Sequence, residues 1–222
     1  MQFQVARLQE IINKIKLSSK LNFKNSVDVD MILEVEGLQV DEINKLIGAG
    51  ITKLRFRTLA SLLEIEPVLL PSKKHYSGNF SEHLNDIFDN FDVLDTIQDM
   101  EIAKAINLWS VKSGKTKDVL VQINAVNEEV KYGILPKDFN DFVWELSKLF
   151  GIKLRGVSCF VPNTGNQKLS KTILRKASVL YKLMHSRYRG VEVFSVNAGL
   201  GIEDLVGDGA NMIRIGVNSL GN

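Results

Sequence analysis

Charged side chains recur at alternate positions in two short apolar segments of this 222-residue chain. Glu34 and Glu36 alternate with apolar residues in DMILEVE, and Arg55 and Arg57 alternate in TKLRFR. Residues two apart share one face of a β-strand, so each pair occupies one strand face. Carboxylates and guanidinium groups on neighbouring strands would form an internal ion-pair cluster. A solvated strand edge is the alternative interpretation for the two glutamates.

Three further segments carry polar residues with the same spacing. Gln122 and Asn124 share a face of VLVQIN, Ser195 and Asn197 share a face of VFSVN, and Arg214 lies in MIRIG. If the apolar faces of these strands pack on helices, the polar residues point into one common site. Gln122 and Asn124 are equally compatible with a second role, in which they satisfy main-chain groups at a strand end.

The turn Gly199-Leu200-Gly201 precedes a short helical segment. The N–H groups of such a turn can hold phosphate, although a GxG sequence is also an ordinary turn. His75 has no serine or acid nearby in the sequence that would indicate a triad or a metal site. Cys159 lies in an apolar segment and is expected to be a buried small hydrophobic residue. Because it is the single cysteine, it cannot form an internal disulfide, which favours a cytoplasmic location.

Eight short segments rich in β-branched residues alternate with helical patterns and would position these residues. Strands are expected at 30–36, 52–57, 67–70, 91–97, 119–124, 154–161, 191–196 and 212–216. This alternation predicts one domain over 1–222, a single (β/α)8 TIM-type barrel. An amphipathic helix over 1–20, without the apolar core of a signal peptide, is expected to pack on the barrel. An open doubly wound sheet is less compatible, because only Gly37 follows the first strand where a glycine-rich turn would be needed.

The composition limits the partners. Lys+Arg 28 against Asp+Glu 26 gives a net charge of +2, and the two signs are interleaved, so a nucleic-acid partner is not expected. No apolar run reaches the roughly 18 residues of a membrane span, so a membrane partner is not expected either. The sequence does not identify a protein partner.

Four motifs resemble those of a known family. The family's Q-V-N with downstream E, K and G resembles Gln122-Ile123-Asn124 with Glu128, Lys131 and Gly133. Its L-x-G-L-M strand resembles Leu154-Arg155-Gly156-Val157, and its closing R-I-G with F-G resembles Arg214-Ile215-Gly216 with Leu220-Gly221. HYSGNF, from His75 to Phe80, is a degraded likeness of H-F-I-G-x-L. The chain therefore resembles the pyridoxal phosphate homeostasis proteins of the YggS/PROSC type, whose domain is similar to the N-terminal barrel of alanine racemase.

The resemblance implies a degenerate member of that family. The family's Schiff-base lysine corresponds to Glu36, or to Gly37 after a one-residue gap, and its F-G-E-N corresponds to 54–57, which read LRFR. Its phosphate turn S-M-G-M-S corresponds to 195–199, which read SVNAG. Three lysines could form the Schiff base in place of the missing one: Lys73, Lys74 and Lys131. The residues implied to bind the cofactor are Arg214, Gly216, Ser195, Gly199, Gly201, Asn124 and His75.

Three functions follow as hypotheses. The first is a binding protein that holds pyridoxal 5′-phosphate, a small phosphate-bearing ligand, without a covalent bond and without catalysis. The second is a pseudoenzyme barrel that has no cofactor, with a mouth closed by ion pairs, acting as an interaction protein. The third, an amino-acid racemase, is disfavoured because it needs the missing lysine and an acid/base residue from a second domain.

Overall fold

A computed structural model describes residues 2–21, 29–81, 83–126, 132–162, 165–197 and 199–220, without the side chains of 2–4 and 218. The strands are β1 (Asp30–Glu34), β2 (Lys53–Phe56), β3 (Lys73–Tyr76), β4 (Val93–Ile97), β5 (Lys117–Ile123), β6 (Ile152–Cys159), β7 (Val193–Asn197) and β8 (Met212–Ile215). The helices are α1 (Gln2–Leu21), α2 (Val40–Gly48), α3 (Leu59–Ile65), α4 (Leu84–Asn90), α5 (Met100–Ser113), α6 (Phe139–Ser147), α7 (Gln167–Arg187), α8 (Ile202–Gly207) and α9 (Val217–Leu220).

The eight strands form a closed parallel barrel in chain order, with β8 paired to β1. The predicted (β/α)8 barrel is therefore confirmed. Alternation along each strand explains the packing: Leu33 and Val35 belong to the apolar core, whereas Glu34 between them contacts polar groups of the interior. The same alternation places Ile32 and Leu120 on inward faces, where they fill the barrel below the polar residues.

Helix α1 lies outside the barrel, against α8 and α9. Its residues Leu8, Ile11 and Ile15 are buried at helical spacing and belong to the main apolar core. Leu17, on another face of the same helix, is 59% exposed. The apolar stripe therefore fixes which side of α1 packs on the rest of the chain.

The third strand differs from its predicted position. The apolar segment at 67–70 was expected to form it, but Glu66–Val68 is a 3-10 helix and β3 is Lys73–Tyr76. Pro67 provides the physical reason, because its fixed backbone angle suits the first turn of a helix and it has no N–H for a strand ladder. Val68 is 63% exposed, so an apolar run here does not indicate burial.

No helix in the described part of the chain combines the length and apolar character needed to cross a membrane.

Candidate functional site

The interior of the barrel holds a chain of buried charges. The Arg55 guanidinium donates to Glu34 Oε1 at 2.8 Å and to Asp95 Oδ2 at 3.2 Å. Asp95, which is fully buried, also contacts His75 Nδ1 through Oδ1 at 2.8 Å. Arg214 Nε lies 3.9 Å from Glu34 Oε1. Two guanidinium groups and two carboxylates therefore balance each other in the interior.

Arg214 is fixed by the ends of two neighbouring strands. Its guanidinium donates to Ser158 Oγ at 2.8 Å and to the main-chain oxygen of Cys159 at 2.6 Å. The Ser195 hydroxyl lies 3.4 Å from the same guanidinium, and Ser158 in turn donates to Gln122 Oε1 at 2.8 Å. Arg214 is 3% exposed, and its Nε has no hydrogen-bond acceptor among the described residues.

The charge cluster shifts the pKa values of its members. Burial alone would raise the pKa of Asp95, but His75, Arg55 and Arg214 outweigh burial and hold this pKa below its ordinary value. Burial lowers the pKa of Arg214 to about 10, so its guanidinium remains charged at neutral pH. Burial also raises the pKa of the Cys159 thiol to about 12.

A cavity of about 1850 Å³ opens above this cluster at the carboxyl ends of the strands. Its wall includes Glu34, Arg55, Gln122 and Arg214 from the strands. Its rim includes Arg7, Lys14, Glu36, Arg57, Glu101, Tyr132, Phe160 and Glu203. The mouth of a barrel of this type is the usual position of a ligand site.

The predicted ion-pair cluster differs from the observed one. Glu34 and Arg55 form an ion pair, but Glu36 accepts a hydrogen bond from the main-chain nitrogen of Arg57 at 2.7 Å. Strand β1 ends at Glu34, so Glu36 lies past the strand on the exposed rim. The second carboxylate of the cluster is instead Asp95.

The sequence did not single out Asp95, although its contacts with Arg55 and His75 are central to the cluster. Its register on β4 is obscured by an irregularity between Leu94 and Ile97. The motif DVLDT does carry the usable signal, an acid inside an apolar strand. His75, for which no local partner was found in the sequence, meets that acid across the β3–β4 pair.

Five of the seven residues expected to bind a cofactor line the cavity: Arg214, Gly216, Gly199, Gly201 and Asn124. Ser195 and His75 are buried in the barrel wall, where they contact Arg214 and Asp95. The Gly199 nitrogen donates to Asn197 oxygen at 2.8 Å, so that amide is already used within the turn. Gly37, the alternative lysine position, also lines the cavity and has a φ of +83°.

The loop after β5 turns back onto the strand end. The Asn124 nitrogen donates to Ile134 oxygen at 2.9 Å, and Ile134 nitrogen donates to Gln122 oxygen at 2.8 Å. Gly133 makes this approach feasible, because a Cβ there would lie 2.7 Å from Asn124 nitrogen and its φ is +126°. Four residues quoted for the family motifs lie outside the described residues: Glu128, Lys131, Ala198 and Gly221.

Two of the three lysines that were expected to replace the Schiff-base lysine lie far from the mouth of the barrel. Lys73 and Lys74 begin β3 at the opposite end of the barrel, where they pair with Asp118 and Glu66. The expectation that they could replace the Schiff-base lysine is therefore wrong. Among the described residues, Lys14 on α1 is the lysine that lines the cavity, and it pairs with Glu10 at 3.0 Å.

The mouth fits a phosphorylated pyridine in part. Arg214 lines a cavity with ample room for such a ring, and its buried Nε has no hydrogen-bond acceptor among the described residues. Carboxylates flank both glycine turns, however: Glu34 Oε2 lies 3.3 Å from the Cβ position at Gly216, and Glu203 Oε2 lies 3.2 Å from that at Gly201. Within the described part, no group of three His, Cys, Asp or Glu residues is arranged to hold a metal ion.

Comparisons with known proteins find distant sequence relatives of this chain. The chain is 26% identical over 144 residues to the pyridoxal phosphate homeostasis protein of Buchnera aphidicola subsp. Schizaphis graminum, over 64% of this chain and 62% of that protein. It is 24% identical over 182 residues to the protein of the same name from Escherichia coli K12, over 82% of this chain and 70% of that protein. The chain thus spans less than two thirds of the Buchnera relative. No protein-family model matches the chain.

Solved structures share the fold. An unknown protein from Bifidobacterium adolescentis superposes with a TM-score of 0.85 at 15% identity, over 99% of this chain and 95% of that one. PipY of Synechococcus elongatus with PLP bound superposes with a TM-score of 0.75 at 16% identity, over 94% of this chain and 100% of PipY. Alanine racemase of Clostridium difficile gives 0.74 at 18% identity, over 94% of this chain and 54% of the racemase.

Proposed function

We propose that this chain, a relative of the pyridoxal phosphate homeostasis proteins, binds pyridoxal 5′-phosphate at the barrel mouth without a covalent bond and without catalysis. One observation carries the proposal. Arg214 lines the cavity and is almost fully buried, its terminal nitrogens are held by Ser158 and Cys159, and its Nε, 3.9 Å from Glu34 Oε1, has no hydrogen-bond acceptor among the described residues. A buried donor without an acceptor is unfavourable, and a ligand atom at this position would satisfy it.

The remaining cofactor contacts follow from the cavity wall. Arg57 lies exposed on the rim of the cavity, so its guanidinium is a candidate to bind the phosphate. The main-chain groups at Gly201 and Gly216, which also line the cavity, are further candidates to bind the phosphate. When bound, the cofactor would supply an aldehyde that reacts with amines. The residues at the lysine position, Glu36 and Gly37, have no amine to offer it.

A second candidate function is supported by the Glu34–Arg55 ion pair. Together with Asp95, this pair balances the charge of the nearby Arg214, so the buried layer needs no ligand anion to neutralise it. The chain would then be a barrel that binds no cofactor and acts through a protein partner. We place either activity in the cytoplasm, because the single cysteine cannot form an internal disulfide.

A binding titration distinguishes the two functions. We expect Arg214→Lys to weaken pyridoxal 5′-phosphate binding by about tenfold or more, because lysine cannot reproduce the planar donors of arginine. Arg57→Gln should weaken it by about three- to fivefold through the lost phosphate attraction. Arg175→Gln, on the outer helix α7, is the matched control and should bind normally. Absence of binding by the folded wild-type protein would favour the cofactor-free barrel.

A further inference from the structure

Helix α7, which packs on β6, differs from the rest of the chain in its charge. Its 21 residues include six lysine and arginine residues and no aspartate or glutamate. The whole chain has a net charge of +2, so the remainder has a net charge of −4. One surface helix therefore concentrates positive charge on a chain that is otherwise slightly acidic.

The buried and the exposed residues of α7 form two separate stripes. The buried stripe packs on the barrel and consists of Ser170, Ile173, Leu174, Ala177, Ser178 and Met184. The outward stripe, with alternating intervals of three and four residues, consists of Leu169, Thr172, Lys176, Val179, Leu183 and Ser186. Leu169 is 45% exposed, Val179 is 64% exposed and Leu183 is half-buried. The outward stripe thus presents apolar side chains at the spacing of a coiled-coil seam.

Cations flank the outward stripe. Lys168, Arg175 and Lys182 recur at seven-residue intervals along one side of it, where coiled coils place the charges that select a partner. Arg175 Nε lies 3.8 Å from Asp208 Oδ1, but the arginine side chain is 70% exposed. Lys176 lies within the stripe itself and is exposed. The charges that this face offers to a partner are therefore all positive.

We propose that the outward face of α7 binds an acidic amphipathic helix of a protein partner. Apolar side chains of that helix would pack on Leu169, Val179 and Leu183, and its flanking acids would pair with the basic row. An acid opposite Lys176 would fix the register, as a polar residue within a seam does. The residues that line the cavity lie outside α7, so this surface does not depend on the proposed cofactor site.

Nucleic acid and anionic membrane are the competing occupants of a basic surface, and both fit α7 less well. Phosphate groups of a nucleic acid would pair with the lysines but would give Leu169 and Val179 no apolar contact. A helix at a membrane surface buries a broad apolar face in the lipid, whereas that face of α7 packs on the barrel. An acidic amphipathic helix satisfies the cations and the apolar residues together.

Fluorescence anisotropy of labelled peptides with the full chain tests the proposal. The first probe, the heptad peptide, has leucine at alternating intervals of three and four residues and glutamate at every flanking position, which disfavours its self-association. The second probe is a scrambled peptide of the same composition. We expect the wild-type protein to bind the heptad peptide about tenfold more tightly than the scrambled peptide, because only the first aligns its leucines with the outward stripe.

Three variants locate the binding site. Lys176→Glu combined with Lys182→Glu should weaken binding of the heptad peptide by about tenfold or more, because like charges then face each other. Val179→Ser should weaken it by about three- to fivefold through lost apolar contact. Lys112→Glu combined with Lys115→Glu, at the exposed end of α5 and just beyond it, is the matched control and should bind normally. Thermal midpoints check that all variants are folded.

Equal binding of the two peptides, or an equal loss of affinity in the α5 control, would overturn the proposal. Two further probes represent the competing occupants: a DNA duplex of about 20 base pairs and vesicles that contain phosphatidylserine. Tighter binding of either one than of the heptad peptide would also overturn the proposal, because α7 would then recognise phosphate groups in place of an acidic helix.

Discussion

Arg55 contacts both carboxylates of the buried cluster and so holds the interior charges together. Glu34 lies on one side of its guanidinium and Asp95 on the other. Removing one partner from a buried ion pair leaves an uncompensated charge, which costs more than the pair contributes when intact. The stability of the barrel interior therefore depends on this arginine more than on any charge at the opposite end of the barrel.

We predict that Arg55→Met lowers the free energy of unfolding by about 3–5 kcal/mol, because Glu34 and Asp95 both lose the guanidinium group with which they are paired. Lys53→Met is the control. Lys53 is on the same strand, and its Nζ lies 2.5 Å from Asp30 Oδ2. Because the Asp30 side chain is 45% exposed, loss of this ion pair should cost about 1 kcal/mol or less. Urea unfolding of the two variants provides the comparison, and equal losses would contradict the assigned role of Arg55.

Acid should destabilise the protein through Asp95. Its pKa is lower in the folded protein than in the unfolded chain, so its contribution to stability is complete above about pH 4–5 and disappears as the pH falls through the folded value. Asp95→Asn removes the titrating group. We therefore expect the variant to lose less stability than the wild-type protein between pH 5 and pH 3, measured as thermal midpoints. Parallel pH profiles would show that Asp95 does not control this loss.

The Cys159 thiol should be inert in the native protein. It is fully buried, and burial raises its pKa to about 12, so the reactive thiolate is scarce at neutral pH. We expect iodoacetamide to label it only after denaturation, as followed by mass spectrometry. Rapid stoichiometric labelling under native conditions would show that β6 opens in solution.

At the scale of elements, the sequence predicts the strands that alternate apolar and polar residues and misses the elements that lack this signal. Strand β3 reads KKHY, with both lysines at its start, and the apolar run before it is exposed. Helix α4 begins after His83. This residue has a φ of 54°, and its side chain makes no capping hydrogen bond to the first turn of the helix. A sequence without a cap residue or a helical apolar stripe gives no indication of such a boundary.

At the candidate site, too, the sequence predicts only the contacts that follow from regular strand alternation. Alternation on β1 and β2 predicts the Glu34–Arg55 pair, since both residues lie within regular strands. Glu36 and Arg57 lie beyond the strand ends, so alternation no longer determines which groups they meet. The contact between His75 and Asp95 depends on the register of two strands, which the sequence alone does not provide.

Helix α1 contributes both stability and part of the rim. Leu8 is fully buried against the barrel, whereas Leu17 on the same helix is 59% exposed. We predict that Leu8→Ala lowers the free energy of unfolding by about 2–5 kcal/mol, the cost of a cavity in a packed core. Leu17→Ala should change it by less than about 0.5 kcal/mol. Chemical denaturation measures both, and a Leu8→Ala variant as stable as wild type would show that α1 does not pack as described.

At the scale of the whole molecule, the barrel combines a balanced, buried layer with an open mouth. The lower layer positions Arg214 through Ser158 and Cys159, and the rim supplies Glu36 and Arg57. Among the described residues, Lys14 on α1 is the lysine that lines this mouth, and its amine pairs with Glu10. The architecture therefore favours a ligand held by charge and hydrogen bonds.

The most direct test of non-covalent binding is reduction of the saturated complex with borohydride, followed by ultrafiltration and intact-mass analysis. Lys14→Arg, measured in parallel, identifies any contribution of that amine. We predict that the native protein retains about one equivalent of pyridoxal 5′-phosphate without treatment, and that borohydride leaves the mass of the denatured chain unchanged. A stoichiometric adduct on a single lysine, or a native protein that retains no cofactor, would contradict the account.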